Sequence, residues 1–217
     1  PSRDTSAATV AVVGMTAPGT RVNGFAGMVT GEFASRGLCI VSDLAGAVAG
    51  GVIEGAWRNG ARVIAVMPSQ LGRIDDRQTG RLAGGILGAG GVLVSDRPLS
   101  LGEAPPAPRR RDGLLSAMSA GVVFAEAGAK GHPMPLARIA EGQGRPLFCG
   151  MPSLMGGEHP RNRGVLALLR GRKARLFDYD GGEREGVLSL SAVAGMIRSQ
   201  AELLLGGTCP TAAGTGV

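Results

Sequence analysis

Residues 108–126 read Pro108-Arg109-Arg110-Arg111-Asp112-Gly113-Leu114-Leu115-Ser116-Ala117-Met118-Ser119-Ala120-Gly121-Val122-Val123-Phe124-Ala125-Glu126. Three arginines open a short helix in which Leu114, Leu115 and Met118 share one face, and an apolar run at 121–125 follows at once. An apolar run of that length between turn residues predicts a strand buried on both faces. The arginines then stand beside a strand edge, where α/β folds bind anions. Taken alone, the same cluster also reads as a solvated loop. What favours a site is the rest of the chain.

Upstream, residues 9–13 form an apolar run closed by Gly14, then a turn with Pro18 and Gly19, then a segment at 21–36 with Phe25, Met28, Val29 and Phe33 on one side. That is strand, loop and helix, with Gly37 in the C-cap position. Strands are predicted at 38–41, 61–67 and 92–94. A helix through Ile53, Ala56 and Trp57 stops at Asn59-Gly60, and a polar loop at 70–80 leads into a helix through Leu82 and Ile86. Four prolines make 95–108 extended.

Downstream come a helix through Leu136 and Ile139, a strand at 146–149, a helix at 163–170 and a strand at 172–179. Asp180-Gly181-Gly182 reads as a turn, and 189–205 as an amphipathic helix capped by Ser189 or Ser191. Strand and helix alternate with short connections, which predicts an α/β fold: a doubly wound, mostly parallel Rossmann-like sheet with helices on both faces. The expected divisions are an N-terminal extension (1–8), a main domain (9–179), the C-terminal helix (180–205) and a disordered tail (206–217).

The 217 residues suffice for one full core, and 38 glycines with only 3% aromatics require helices packed closely on the sheet. A net charge of +6, mostly arginine, favours polyanionic partners. Cys39, Cys149 and Cys209 have no metal or redox spacing. With no signal-like start and no apolar run of membrane-spanning length, the expectation is a cytoplasmic protein without a membrane partner.

Once these pieces are in order, the chain resembles the DNA-processing protein A (DprA, Smf) family, within the wider group of LOG-like nucleotide-binding folds. The resemblance runs over about 10–177. It rests on Gly91-Val92-Leu93-Val94-Ser95-Asp96-Arg97-Pro98, on Arg111-Asp112-Gly113-Leu114-Leu115-Ser116-Ala117-Met118-Ser119, and on Val122-Val123-Phe124-Ala125-Glu126-Ala127. Gln143-Gly144-Arg145, Pro152-Ser153 and Asn162 add to it. Several positions depart from the family pattern. Gly14-Met15-Thr16 replaces Gly-Ser-Arg, and Ser42-Asp43 replaces a Ser-Gly turn whose later aspartate is also missing. Gly113 stands where a second arginine is expected.

Gly14 and Thr16 lie between the first strand and helix, where amides and the helix dipole favour phosphate. Ser42 ends the second strand on the same side, although Asp43 beside it repels an anion unless it points away. Arg109, Arg110 and Arg111 become the strongest phosphate ligands, with Lys130 and His132 nearby, and the resemblance adds Ser153. A second basic group, Arg161, Arg163, Arg170, Arg172, Lys173 and Arg175, is an ordinary charged face, an extension of a nucleic-acid track or a dimer rim.

No nucleophile elbow, triad or paired carboxylates are present, and the glycine-rich hydrolase loop of LOG proteins is absent after Glu126. The expectation is a non-enzyme that needs no cofactor or metal. The resemblance implies a protein that binds single-stranded DNA through its phosphates, with a recombinase partner and a homo-oligomeric state. Two alternatives stay open. One is a sensor or carrier of a nucleotide or other phosphorylated ligand, and the other is a scaffold that assembles through the C-terminal helix.

Overall fold

In the computed structural model the described residues are 8–15, 20–44, 46–74, 76–99, 107–130, 133–150, 160–178 and 185–206. The elements are β1 (Thr9–Val13), α1 (Thr20–Ser35), β2 (Cys39–Asp43), α2 (Gly46–Arg58), β3 (Val63–Val66), α3 (Arg77–Gly88) and β4 (Val92–Val94). They continue as α4 (Pro108–Ala117), β5 (Gly121–Phe124), α5 (Met134–Gly142), β6 (Leu147–Gly150), α6 (Arg163–Arg170), β7 (Ala174–Asp178), β8 (Leu188–Ser189) and α7 (Leu190–Gly206). The strands form one sheet in the order β4-β3-β2-β1-β5-β6-β7-β8. Every pairing is parallel.

Parallel strands need crossovers, and crossovers cover both faces. Alternate residues of each strand accordingly feed two cores. Val10, Val12, Ile40, Val123, Phe148 and Phe177 pack with Phe25, Val29 and Phe33 of α1, Val52 and Ile53 of α2, and Ile86 of α3. Ala11, Val13, Val41, Val122, Phe124 and Cys149 pack on the other face with Leu115 of α4, Leu136 of α5, and Val165 and Leu168 of α6. The α7 helix, expected as a segment of its own, contributes Leu190, Val193, Ala194 and Ile197 to the same core as α1 and α2.

Two details differ from the sequence expectations. The α3 helix starts at Arg77 inside the expected loop, because the Asp76 side chain accepts from the Thr79 amide at 2.8 Å and caps it. Hydrogen bonds from Thr79 hold the Asp76 carboxyl below its ordinary range. The short β8 was not expected. Its two residues pair with β7, and Ser189 then caps α7 by accepting from the Ala192 amide at 3.2 Å. The predicted turn at 180–182, the tail beyond 206 and residues 100–106 of the extended segment lie outside the described residues.

Candidate nucleic-acid interface

The strand order reverses at β1, whose neighbours are β2 on one side and β5 on the other. In an open parallel sheet such a reversal leaves a crevice outside the carboxyl ends of the strands, and ligands bind there. Gly14 and Met15 leave β1 at this point, and residues 125–130 leave β5. The N-termini of α3, α4 and α6 face the same edge, since each helix follows a strand that ends there.

Of the residues expected to bind phosphate, Thr16, His132 and Ser153 lie outside the described residues. Gly14 is buried, and a side chain there would meet Cγ2 of Val48 at 2.8 Å. The Ser42 hydroxyl is fully buried and donates to the Asp43 carbonyl at 2.9 Å. Lys130 is exposed beside the end of β5.

The three arginines of the decisive stretch part company in the first turn of α4. Pro108 sits at the start of the helix, with its missing N–H in a position that needs none. The Ala107 amide donates to the Pro68 carbonyl at 2.8 Å, which ties the helix start to the end of β3. Arg109 and Arg110 point to solvent, and Arg110 Nε donates to Asp96 Oδ2 at 2.6 Å.

Arg111 turns inward and is only 5% exposed. Its Nη2 donates to Asp112 Oδ1 at 2.8 Å, and its Nη1 lies 3.4 Å from Asp43 Oδ2. Asp43 is 5% exposed and Asp112 1%. The three arginines expected as phosphate ligands are thus placed differently. Two arginines stand on the rim, one of them paired with Asp96, and the third is buried against Asp43 and Asp112. Asp43 points at Arg111. Removing one member of such a buried pair commonly costs about 3–5 kcal/mol, because the other charge is left uncompensated.

The second basic group also divides. Arg161 and Arg163 stand at the start of α6, on the carboxyl edge, whereas Arg170, Arg172 and Lys173 stand at its far end. Eight residues of helix separate the two sets by about 12 Å. Lys173 pairs with Glu141 at 2.8 Å, and Arg175 donates to the Met196 sulfur at 3.4 Å. The set is therefore two groups on opposite edges of the sheet. The first amides of α6 face inward: Gly164 and Val165 donate to the Ala127 carbonyl at 2.9 and 3.2 Å.

Asp43, Asp96 and Asp112 were missed as partners of the arginines. Asp112 follows Arg111 directly, and Asp43 ends an otherwise apolar strand. A charged residue in such a place needs a partner, and that was the available signal.

Among the described residues no group of three or more His, Cys, Asp or Glu side chains could hold a metal ion. No helix among the described residues is long and apolar enough to cross a membrane. A groove of about 720 Å³ lies along α1 and α2, lined by Asn23, Gly27, Gly51 and Glu54 among others. It runs over the outer side of the helix pair and not over the strand ends.

The family model for DNA recombination-mediator protein A matches residues 2–180. The chain belongs to that family. Protein Smf of Escherichia coli is 34% identical over 140 residues, covering 63% of this chain and 36% of Smf. The chain thus spans little more than a third of that relative's length.

Two solved structures of the recombination-mediator type share the fold. DNA processing protein A of Helicobacter pylori, described for its single-stranded DNA binding mode, superposes with a TM-score of 0.71 at 21% identity. The match covers 88% of this chain and 80% of that one. DprA of Streptococcus pneumoniae gives 0.67 at 25% identity, covering 78% and 58%.

Proposed function

We propose that this recombination-mediator family member binds single-stranded DNA, without chemistry on it, through phosphate contacts along the basic rim of the carboxyl edge. The carrying observation is the convergence of exposed cations from three separate elements on that edge. Arg109 and Arg110 come from α4, Lys130 from the loop after β5, and Arg163 from α6. Arginine forks and lysine point charges both suit phosphate.

Binding on this rim should be indifferent to base sequence. Single-strand binders that prefer bases stack them on exposed aromatic rings. Here all five phenylalanines are buried, and Trp57 packs beside the core, where it also meets Gly85. Within the family's recombination role, a further partner that receives the DNA and a homo-oligomeric state complete the proposal.

The test is fluorescence anisotropy of a labelled oligonucleotide over a range of salt. Four phosphate contacts to a single strand give a slope of log K on log salt near ~−2.8, so affinity should fall roughly fiftyfold between about 50 and 200 mM. A flat salt response, or a preference for duplex over single strand, would overturn the reading.

A further inference from the structure

The described residues contain five buried charged side chains: Arg111, Asp43, Asp112, Glu126 and Asp178. Four are carboxylates, and all four lie at the carboxyl edge. Asp43 ends β2, Asp178 ends β7, Glu126 follows β5 by two residues, and Asp112 is in the first turns of α4. Among the described residues, buried carboxylates therefore line the interior of the edge, while its exposed rim carries arginine and lysine. A site shaped to take phosphate inward would show the opposite arrangement.

We propose that the Asp43–Arg111–Asp112 cluster bars phosphate from the crevice, so that this chain takes anions only on its rim, and that Asp43 sets this specificity. The inference rests on the rim being the anion-binding surface, and it separates polymer binding from mononucleotide binding. The formal charge of the three groups together is −1. A phosphate reaching Arg111 has to displace a carboxylate already 3.4 Å from its guanidinium and then sit beside two like charges in a water-poor site.

Among the described residues, the crevice is also narrow beside β1 and β5. Val48 stands where a side chain at Gly14 would project, and a side chain at Gly128 would meet the Met15 sulfur at 3.6 Å. The α6 amides that could cradle an anion are committed to the Ala127 carbonyl.

The experiment is a titration of the full chain with inorganic phosphate, followed residue by residue through backbone amide NMR shifts. In the wild type, shifts should be confined to residues 107–110, 128–130 and 161–163. A saturable shift at 42–44 or 111–112 below about 10 mM phosphate would overturn the proposal.

In the D43N/D112N variant, which keeps side-chain shape and removes both negative charges, residues 42–44 should become responsive, with phosphate at least about tenfold tighter there. A folded variant with no response at those residues also overturns the proposal. If the variant does not fold, the wild-type map still decides. Failure of the chain to bind single-stranded DNA would sink the proposed function and leave this map to be judged separately.

Discussion

Arg172 is the one described residue other than glycine with a positive φ, at 52°. It follows the C-cap Gly171 of α6, and the hydrogen bonds show why. The Arg172 amide donates to the Leu169 carbonyl at 3.0 Å, and the Lys173 amide to the Leu168 carbonyl at 2.9 Å. This is the Schellman closure, whose left-handed position normally goes to glycine. Arginine holds it at the cost of crowding between its Cβ and the backbone. The Arg172→Gly variant should be more stable by about 0.5–1 kcal/mol in urea unfolding. Loss of stability would mean that the side chain has a contact worth more than the strain.

At Cys149 the argument turns on titration. The thiol is buried in β6 among apolar side chains, and burial pushes its pKa from 9.0 up to about 12. Above about pH 9 the unfolded chain releases this proton while the folded chain keeps it, so stability falls as pH rises through that window. The wild type should therefore lose Tm more steeply between pH 9 and 12 than C149A, which has nothing to ionise there. Parallel slopes for the two proteins would exclude the buried thiol as the cause.

At the scale of elements, α1 and α2 run side by side with their backbones in close contact. A side chain at Gly55 would run into the Gly27 backbone, reaching its Cα at 2.9 Å, and one at Gly51 would meet the Asn23 carbonyl at 2.6 Å. No flexible group is there to move aside. Gly55→Ala should cost about 1–3 kcal/mol in urea unfolding. Gly84→Ala on the exposed side of α3 meets nothing within 4 Å and should stabilise by about 0.5–1 kcal/mol. If both substitutions moved stability the same way, the helix contact would not be the determinant.

This contact also shows what the sequence could convey. The spacing of Phe25, Val29 and Phe33 fixes the buried face of α1, and all three are buried, whereas Met28 from the same predicted stripe is 49% exposed. Long periodic segments and the apolar run at 92–94 were legible, because one period dominates each. The two residues of β8 were not, since a strand that short has no alternation to detect. The start of α3 was missed because the polar stretch before Gly80 reads as loop until Asp76 is seen to cap it.

At the scale of the molecule, charge is sorted between the two edges of the sheet. The place of the arginine cluster at the carboxyl edge was legible, but the direction of each arginine was not. Adjacent positions on a helix point about 100° apart, and which of them turns inward depends on where β2 ends, a contact 68 residues away in sequence between Asp43 and Arg111. The same limit merged Arg161 with Arg170, which adjoin one helix in sequence and stand at opposite ends of it in space.

Separation by edge gives a test that net charge alone cannot mimic. Exposed charges more than a Debye length apart, about 10 Å at 0.1 M salt, act almost independently. Reversing Arg109 and Arg110 to glutamate should weaken single-stranded DNA binding at least about tenfold and make the salt slope shallower by roughly 1.4. Reversing Arg170 and Arg172 changes net charge by the same amount on the other edge and should alter affinity less than about threefold under those conditions. Equal losses from the two pairs would mean that the DNA responds to the overall field of the protein, and the carboxyl-edge rim would no longer be its binding surface.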